Sequence, residues 1–296
     1  MQLRNLIDQL TAQFQEAGIE SARADAELLI ADCLAVSRGE LTAAAILDSG
    51  ALAVVSGSIL ENILALAERR AAREPLQHLT GKAYFRNLTL KVGKGVFVPR
   101  PETELLAQLG IDALNRASAA AENPEAVIGA DLATGSGAIA LALATEVPTA
   151  TIYAVELSPD AIYWTEQNFA DAVAAGATAH LRQGDLTDAF QDLNGTLDVL
   201  VTNPPYIPVD MVPIYPEVVL HDPEMALYGG QDGLDLVRAG SQSGLRLLKS
   251  GGFFAVEHAD VQGPSVVELL RNDGWIDVVQ HQDFNGRDRV VSATRP

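Results

Sequence analysis

Leu197-Asp198-Val199-Leu200-Val201-Thr202, followed by Asn203-Pro204-Pro205-Tyr206, is the stretch on which the reading of this chain turns. A short, nearly unbroken apolar run marks a strand buried on both faces, and two prolines close behind it end the strand in a stiffened turn. Sheets built from such strands place their chemistry at the strand ends, which is where Asn203 falls. The residue types there suit one task. The NH2 of an amide or arylamine is a poor nucleophile because its lone pair is delocalised into the neighbouring π system. The Asn203 side-chain oxygen and the Pro204 carbonyl can each accept one of its N–H bonds, which aims the lone pair at an incoming group through orientation and electrostatic preorganisation. Tyr206 can stack on the planar group. The same four residues are also ordinary turn formers, so the rest of the chain has to decide.

Outward from this loop, apolar runs at residues 126–132, 150–155, 179–181, 197–202 and 253–257 alternate with helical patterns. That predicts an α/β domain with a mostly parallel sheet covered on both faces. Segments near 276–281 and 289–293 are expected to add an antiparallel pair. Residues 1–74 read instead as a helical bundle, with Leu3, Leu6, Ile7 and Leu10, then Ala26, Leu29, Ile30, Cys33 and Leu34, at helical spacing. Ser21 and Thr42 are candidate N-caps, and Gly18, Gly39 and Gly50 mark breaks between helices. Residues 75–97 switch to period two at Leu88, Leu90 and Val92 and read as a β-hairpin linker. Residues 98–296 then open on Pro99-Arg100-Pro101-Glu102-Thr103-Glu104, where Pro101 suits a first helical position and both glutamates the positive end of the helix dipole.

Composition narrows the partners. The 296 residues carry 39 acidic against 20 basic side chains, a formal charge of −19, which argues against a broad phosphate-binding surface and hence against a nucleic-acid substrate. Against that background Arg69, Arg70, Arg73, Lys82, Arg86, Lys91, Lys94 and Arg100 are opposed locally only by Glu74, as a solvated ribbon or as a patch facing a partner. No apolar run reaches the ~20 residues of a membrane helix. One cysteine, Cys33, excludes an intramolecular disulfide and fits a reducing cytoplasm. His221, His258 and His281 show no metal-ligand spacing, so no metal is expected.

Asp131-Leu132-Ala133-Thr134-Gly135-Ser136-Gly137 follows the first strand of the sheet and leads into a helix. It matches Gly-x-Gly-x-x-Ala, and Glu156 ends the next strand, so a dinucleotide-binding oxidoreductase is a serious rival. Three features weigh against it. Asp131 would repel a diphosphate but can hold the ammonium of S-adenosylmethionine, while Glu156 can bridge its ribose hydroxyls. Asp185, just beyond the third strand, is placed for the adenine amino group. The four lysines, Lys82, Lys91, Lys94 and Lys249, offer no Tyr-x-x-x-Lys proton donor.

Glu74-Pro75-Leu76-Gln77-His78-Leu79-Thr80-Gly81, Val98-Pro99-Arg100-Pro101-Glu102-Thr103-Glu104, the Asp131 loop, Asn203-Pro204-Pro205-Tyr206-Ile207, Gly229-Gly230-Gln231-Asp232-Gly233-Leu234 and Gly286-Arg287-Asp288-Arg289-Val290 occur in that order. Over nearly the whole chain this series resembles the protein-(glutamine) methyltransferases that modify peptide-chain release factors. The resemblance implies a Rossmann-like S-adenosylmethionine-dependent methyltransferase domain, joined by a β-hairpin to a small N-terminal helical domain for substrate recognition. It implies methylation of the side-chain amide nitrogen of the glutamine in the Gly-Gly-Gln motif of class 1 release factors, and a monomer is expected. Carried over residue by residue, Ala133, Thr134, Gly135, Ser136 and Gly137 form the cofactor loop, Glu156 holds the ribose, Asp185 and Leu186 flank the adenine, and Asn203, Pro204, Pro205 and Tyr206 hold the substrate. Ala133 stands where the family usually has glycine, Glu156 where it has aspartate, and Leu186 where an aromatic is common; the last puts adenine stacking there in question. A ribosomal-protein glutamine methyltransferase, an adenine methyltransferase of nucleic acid and a non-catalytic binding module share parts of this pattern.

Overall fold

The computed structural model describes residues 1–47 and 53–296, so Gly50, expected to separate two helices, lies outside the described residues. Two compact units emerge: Met1–Lys82 with Ile214–His221, and Ala83–Pro213 with Asp222–Pro296.

The first unit is helical, with α1 (Leu3–Glu16), α2 (Ala22–Cys33), α3 (Arg38–Leu47), α4 (Gly57–Ala71), α5 (Leu76–Thr80) and, from far along the chain, α9 (Pro216–His221). Leu3, Leu6, Ile7, Leu10 and Phe14 bury one face of α1 in a core shared with Leu29, Ile30, Leu41 and Ile63. Gly18 ends α1 with a positive φ of 72°, as its position suggests. Gly39 is no break and Thr42 no N-cap, because both lie inside α3. The start of that helix is closed by Ser37 and Glu40: the Ser37 hydroxyl accepts from Glu40 N at 3.2 Å, and Glu40 accepts from Ser37 N at 2.8 Å. This reciprocal capping satisfies two backbone donors at once and outweighs a glycine in the first turn.

Most of the basic residues near positions 69–100 carry carboxylate partners, and all of these but Glu74 come from elsewhere in the chain. Within the first unit Arg69 pairs with Glu74 and Lys82 with Asp32. Within the second, Arg86 pairs with Glu146, Lys91 with Asp171 and Arg100 with Asp222. The most buried of these cations is Arg70, at 5% exposure. Its Nε donates to Asp25 at 2.7 Å and its Nη1 to Glu217 of α9 at 2.9 Å, while Arg73 reaches the same glutamate at 2.6 Å.

A hairpin of β1 (Lys82–Phe85) and β2 (Leu88–Lys91), turning at Arg86 with φ 51°, leads into the second unit. There α6 (Glu104–Ala120), β3 (Ile128–Leu132), α7 (Ala138–Glu146), β4 (Thr151–Glu156), α8 (Pro159–Ala174), β5 (Ala179–Gln183) and β6 (Leu197–Thr202) are followed by α10 (Asp235–Leu247), β7 (Leu248–Glu257), α11 (Gly263–Asn272), β8 (Ile276–Gln282) and β9 (Asp288–Thr294). The strands form one sheet in the order β5-β4-β3-β6-β7-β9-β8. Strands β3 to β7 are parallel, and β9 runs antiparallel between β7 and β8, so the expected terminal pair is present. Burial on both faces explains the unbroken apolar runs. Val199 and Val201 enter the core made with α6, α7 and α8, and Leu200 between them enters the core made with α10 and α11. Among the described residues no helix is long and apolar enough to cross a membrane.

Arg70→Ala strands the carboxylate of Asp25, itself 7% exposed, without its counter-charge. Breaking a buried pair in this way is expected to cost about 3–5 kcal/mol. The loss should appear as earlier urea unfolding followed through protection of the α2 and α4 amides, and unchanged protection would refute this role for Arg70.

Candidate active site

Strand β3 has β4 on one side and β6 on the other, so the chain reverses its direction of travel across the sheet between them. In open α/β sheets ligands bind beyond the carboxyl ends of the strands at such a switch. The candidate residues named above gather at these ends, on β3, β4 and the loops after β3, β5 and β6.

Asp131 is fully buried on β3. Its Oδ2 accepts from the Thr134 hydroxyl at 2.5 Å and from Ala140 N at 3.2 Å, which ties strand, loop and helix α7 together. Oδ1 has no partner among the described residues. Burial pushes the Asp131 carboxyl up to about 7 against these two hydrogen bonds, and the Glu156 charge adds to the rise. Glu156, at the end of β4, accepts from Gly135 N through Oε2 and from Ser158 N through Oε1, both at 2.8 Å. Burial raises its pKa as well, with the backbone donors opposing.

Between these acids the loop is shaped by left-handed backbone at Ala133 (φ 56°) and Gly135 (φ 56°). A Cβ on Gly135 would meet nothing within 4 Å, so that glycine answers a conformational need and leaves the outer side of the loop open. From α8, Thr165 donates to Gly135 O at 2.5 Å and Asn168 to Ser136 O at 2.9 Å. Thr134 and Ser136 are buried beneath. Asp185 makes a tight turn after β5, with Oδ1 accepting from Thr187 N and Oγ1 at 2.8 and 2.7 Å. The Leu186 side chain packs into the core with Val155, Phe190 and Leu234.

Pro204 and Pro205 are buried, while Asn203 and Tyr206 are half-buried at the end of β6. The loop is braced from outside: Gln262 donates to Tyr206 O at 2.9 Å, and Ile207 N donates to Leu227 O at 2.9 Å. Gly229 and Gly233 lie so close that a Cβ on either would collide with the carbonyl of Pro205 or Tyr206. Glycines in this motif therefore let one backbone lie directly on another.

Glu257, the last residue of β7, is a site residue that pattern reading missed, although an acid ending an apolar strand was its signal. It is 2% exposed. Oε1 accepts from the Thr103 hydroxyl at 3.2 Å and lies 3.5 Å from the Tyr206 hydroxyl. Thr103 in turn accepts from Asn203 Nδ2 at 3.3 Å. Burial pushes the Glu257 carboxyl up to about 7, with the Thr103 bond and the Arg289 charge opposing and Glu102 reinforcing. Burial also raises the Tyr206 phenol, and the Glu257 charge adds to it.

A family model described as the PrmC N-terminal domain matches residues 5–81, and one for the methyltransferase small domain matches residues 112–211. The release factor glutamine methyltransferase of Streptomyces coelicolor is 46% identical over 291 residues, which cover 98% of this chain and 96% of that protein. The 4-amino-L-phenylalanine/4-methylamino-L-phenylalanine methyltransferase of Streptomyces pristinaespiralis is 38% identical over 275 residues, 92% of this chain and 88% of the relative. Among solved structures, the hMettl16 catalytic domain in complex with MAT2A 3'UTR hairpin 6 has a TM-score of 0.53 at 13% identity, over 77% of this chain and 81% of that one, a likeness of fold alone.

Left-handed backbone at a non-glycine residue costs roughly 1–2 kcal/mol, so Ala133 holds the loop under mild strain. Ala133→Gly relieves it at the expense of a looser unfolded chain, about 0.4–1 kcal/mol, and should leave the thermal midpoint unchanged or slightly raised. Ala133→Val should lower it. A lowered midpoint for the glycine variant would contradict the strain.

Proposed function

The chain belongs to the release factor glutamine methyltransferase family, and from that membership we propose that it moves a methyl group from S-adenosylmethionine to the side-chain amide nitrogen of the Gly-Gly-Gln glutamine in a class 1 peptide chain release factor. The observation that carries this reading is the Asn203-Pro204-Pro205-Tyr206 loop, held at the switch point on the strand next to the one bearing Asp131.

The residues at the strand ends fit the methyl donor. Asp131 offers an unpartnered, buried Oδ1 to an ammonium. Each Glu156 oxygen keeps a lone pair for a ribose hydroxyl beyond its backbone bond. Asp185 would accept from the adenine amino group beside Leu186, and Ala133, Thr134, Gly135, Ser136 and Gly137 would give the donor an open loop to lie on. When bound, S-adenosylmethionine supplies an electrophilic methyl on a sulfonium.

The protein's own part is orientation. Asn203 Oδ1 and the Pro204 carbonyl accept the two N–H bonds of the glutamine amide, and Tyr206 packs on its plane. That holds the nitrogen lone pair toward the donor. No strong base is required, because a methylated, cationic nitrogen is acidic enough to release its proton to water. A formal charge of −19 supports a protein over a nucleic-acid substrate. Val209, Met211 and Val212, exposed just beyond Tyr206, support an apolar contact with such a partner. The helical unit would contribute to substrate recognition, the enzyme would act as a monomer, and its single cysteine suits the cytoplasm.

Labelled S-adenosylmethionine, offered with a release factor, its glutamine-substituted variant, a ribosomal protein, DNA and 4-amino-L-phenylalanine in parallel, tests the reading. Label should enter the unsubstituted release factor alone, and transfer to any other acceptor in its place would overturn the assignment. Asn203→Ala should lower turnover on the order of 10²–10³ while leaving donor affinity intact, and unchanged turnover would remove Asn203 from its role. Glu156→Ala should weaken donor binding measured by calorimetry, since it removes charge-assisted bonds to the ribose and releases Gly135 N.

A further inference from the structure

Glu257, Thr103 and Asn203 form a short hydrogen-bonded chain beneath the substrate loop. The carboxylate accepts from Thr103 Oγ1 at 3.2 Å, and Thr103 Oγ1 accepts from Asn203 Nδ2 at 3.3 Å. An ionised carboxylate has no proton to give, so the single Thr103 proton must point at Glu257. The Thr103 lone pairs then face Asn203, whose side chain must turn its NH2 inward and its Oδ1 outward. A neutral group at position 257 removes that requirement. It can donate to Thr103, which can donate to Asn203 Oδ1, and the asparagine then turns its NH2 toward the incoming amide, donor against donor.

We propose that Glu257 is a positioning residue that sets the direction of this chain, so that Asn203 meets the substrate as a hydrogen-bond acceptor. The proposal rests on the glutamine-amide reading above and adds to it a residue that never touches substrate. Tyr206 has the same logic, with its hydroxyl 3.5 Å from Glu257 Oε1. Three charged or titratable groups face the carboxyl: Arg289 on β9 favours its ionised form, while Glu102 before α6 and the Tyr206 hydroxyl complete the set. His258, next along the chain, is buried; its ring pairs with Ala259 O and Gln280, and burial lowers its pKa, so it adds no charge near neutrality. Since burial pushes Glu257 up to about 7, the carboxylate and the ordered chain exist above that pH and are lost as pH falls through it.

Steady-state methylation of a release factor between pH 6 and 9 tests this, with donor affinity measured by calorimetry for each variant. The parent should lose turnover on the acid side with a midpoint near 7. Glu257→Gln should reduce kcat on the order of 10², the effect of losing one positioning group, and abolish the acid limb while donor affinity holds. Thr103→Val should do the same by breaking the chain, and Thr103→Ser, which keeps the hydroxyl, should recover most of the loss. Should Glu257→Gln fail to fold, Thr103→Val decides alone. Parent-like kcat and pH dependence in the tested variant would overturn the role of Glu257, whereas a parent that methylates no release factor would overturn the substrate reading instead.

Discussion

Parallel pairing of β6 with β3 is the constraint on which the rest of the site depends. Asp131 lies beside Val201 and Leu132 beside Thr202, so the loops that follow the two strands leave the sheet at one level. Register is enforced by burial, because a slip of one residue would send Leu200 into the core of Val199 and Val201 and expose each to the wrong face. It is fastened at the last step by the Thr202 hydroxyl, which donates to Leu132 O at 2.7 Å. The loops after β3 and β6 are thus positioned by the same apolar packing that holds the sheet together.

At this end of the sheet the chain concentrates buried acids and gives each neutral donors, leaving Asp131 Oδ1 and Glu257 Oε2 without a partner among the described residues. Asp131 is held by a hydroxyl and a backbone N–H, Glu156 by two backbone N–H groups and Glu257 by hydroxyls. Burial disfavours their charge while such donors favour it, and burial prevails at Asp131 and Glu257, which both stand at about 7. Folding alone gives no reason to collect them. Such acids would oppose the charge of a diphosphate, which weighs against the dinucleotide reading that Gly-x-Gly-x-x-Ala invites. Ala133 belongs to the same economy of function, since its left-handed backbone is strain that a glycine would avoid.

Much of this was legible in local pattern. The apolar run at residues 197–202 is β6 to the residue, Asp131 and Glu156 lie in the last two positions of β3 and β4, and Asp185 lies just past the end of β5. Other signals were present and overlooked. Ser37-Arg38-Gly39-Glu40 is a capping box whose glycine read as a break, and Glu257 ends a strand as visibly as Glu156 does. The positive stretch near residues 69–100, read as a solvated ribbon or a patch facing a partner, reveals most of its counter-charges only in the folded chain. Besides Glu74 within it, Asp25, Asp32, Glu146, Asp171, Glu217 and Asp222, all outside that stretch, pair with its cations.

Sequence alone therefore determined what each segment needs: a strand buried on both faces, a glycine loop before a helix, an asparagine and two prolines in a stiff turn at a strand end. Such needs are local, because periodicity, turn chemistry and side-chain type act over a few neighbouring residues. Tertiary structure alone decided who answers them. Thr103 reaches Glu257 across 154 residues and Asn203 across 100, and Arg70 reaches Glu217 across 147. Partners so far apart are chosen by strand order and register, which follow from burying the whole apolar set at once and leave no trace in any single stretch of the chain.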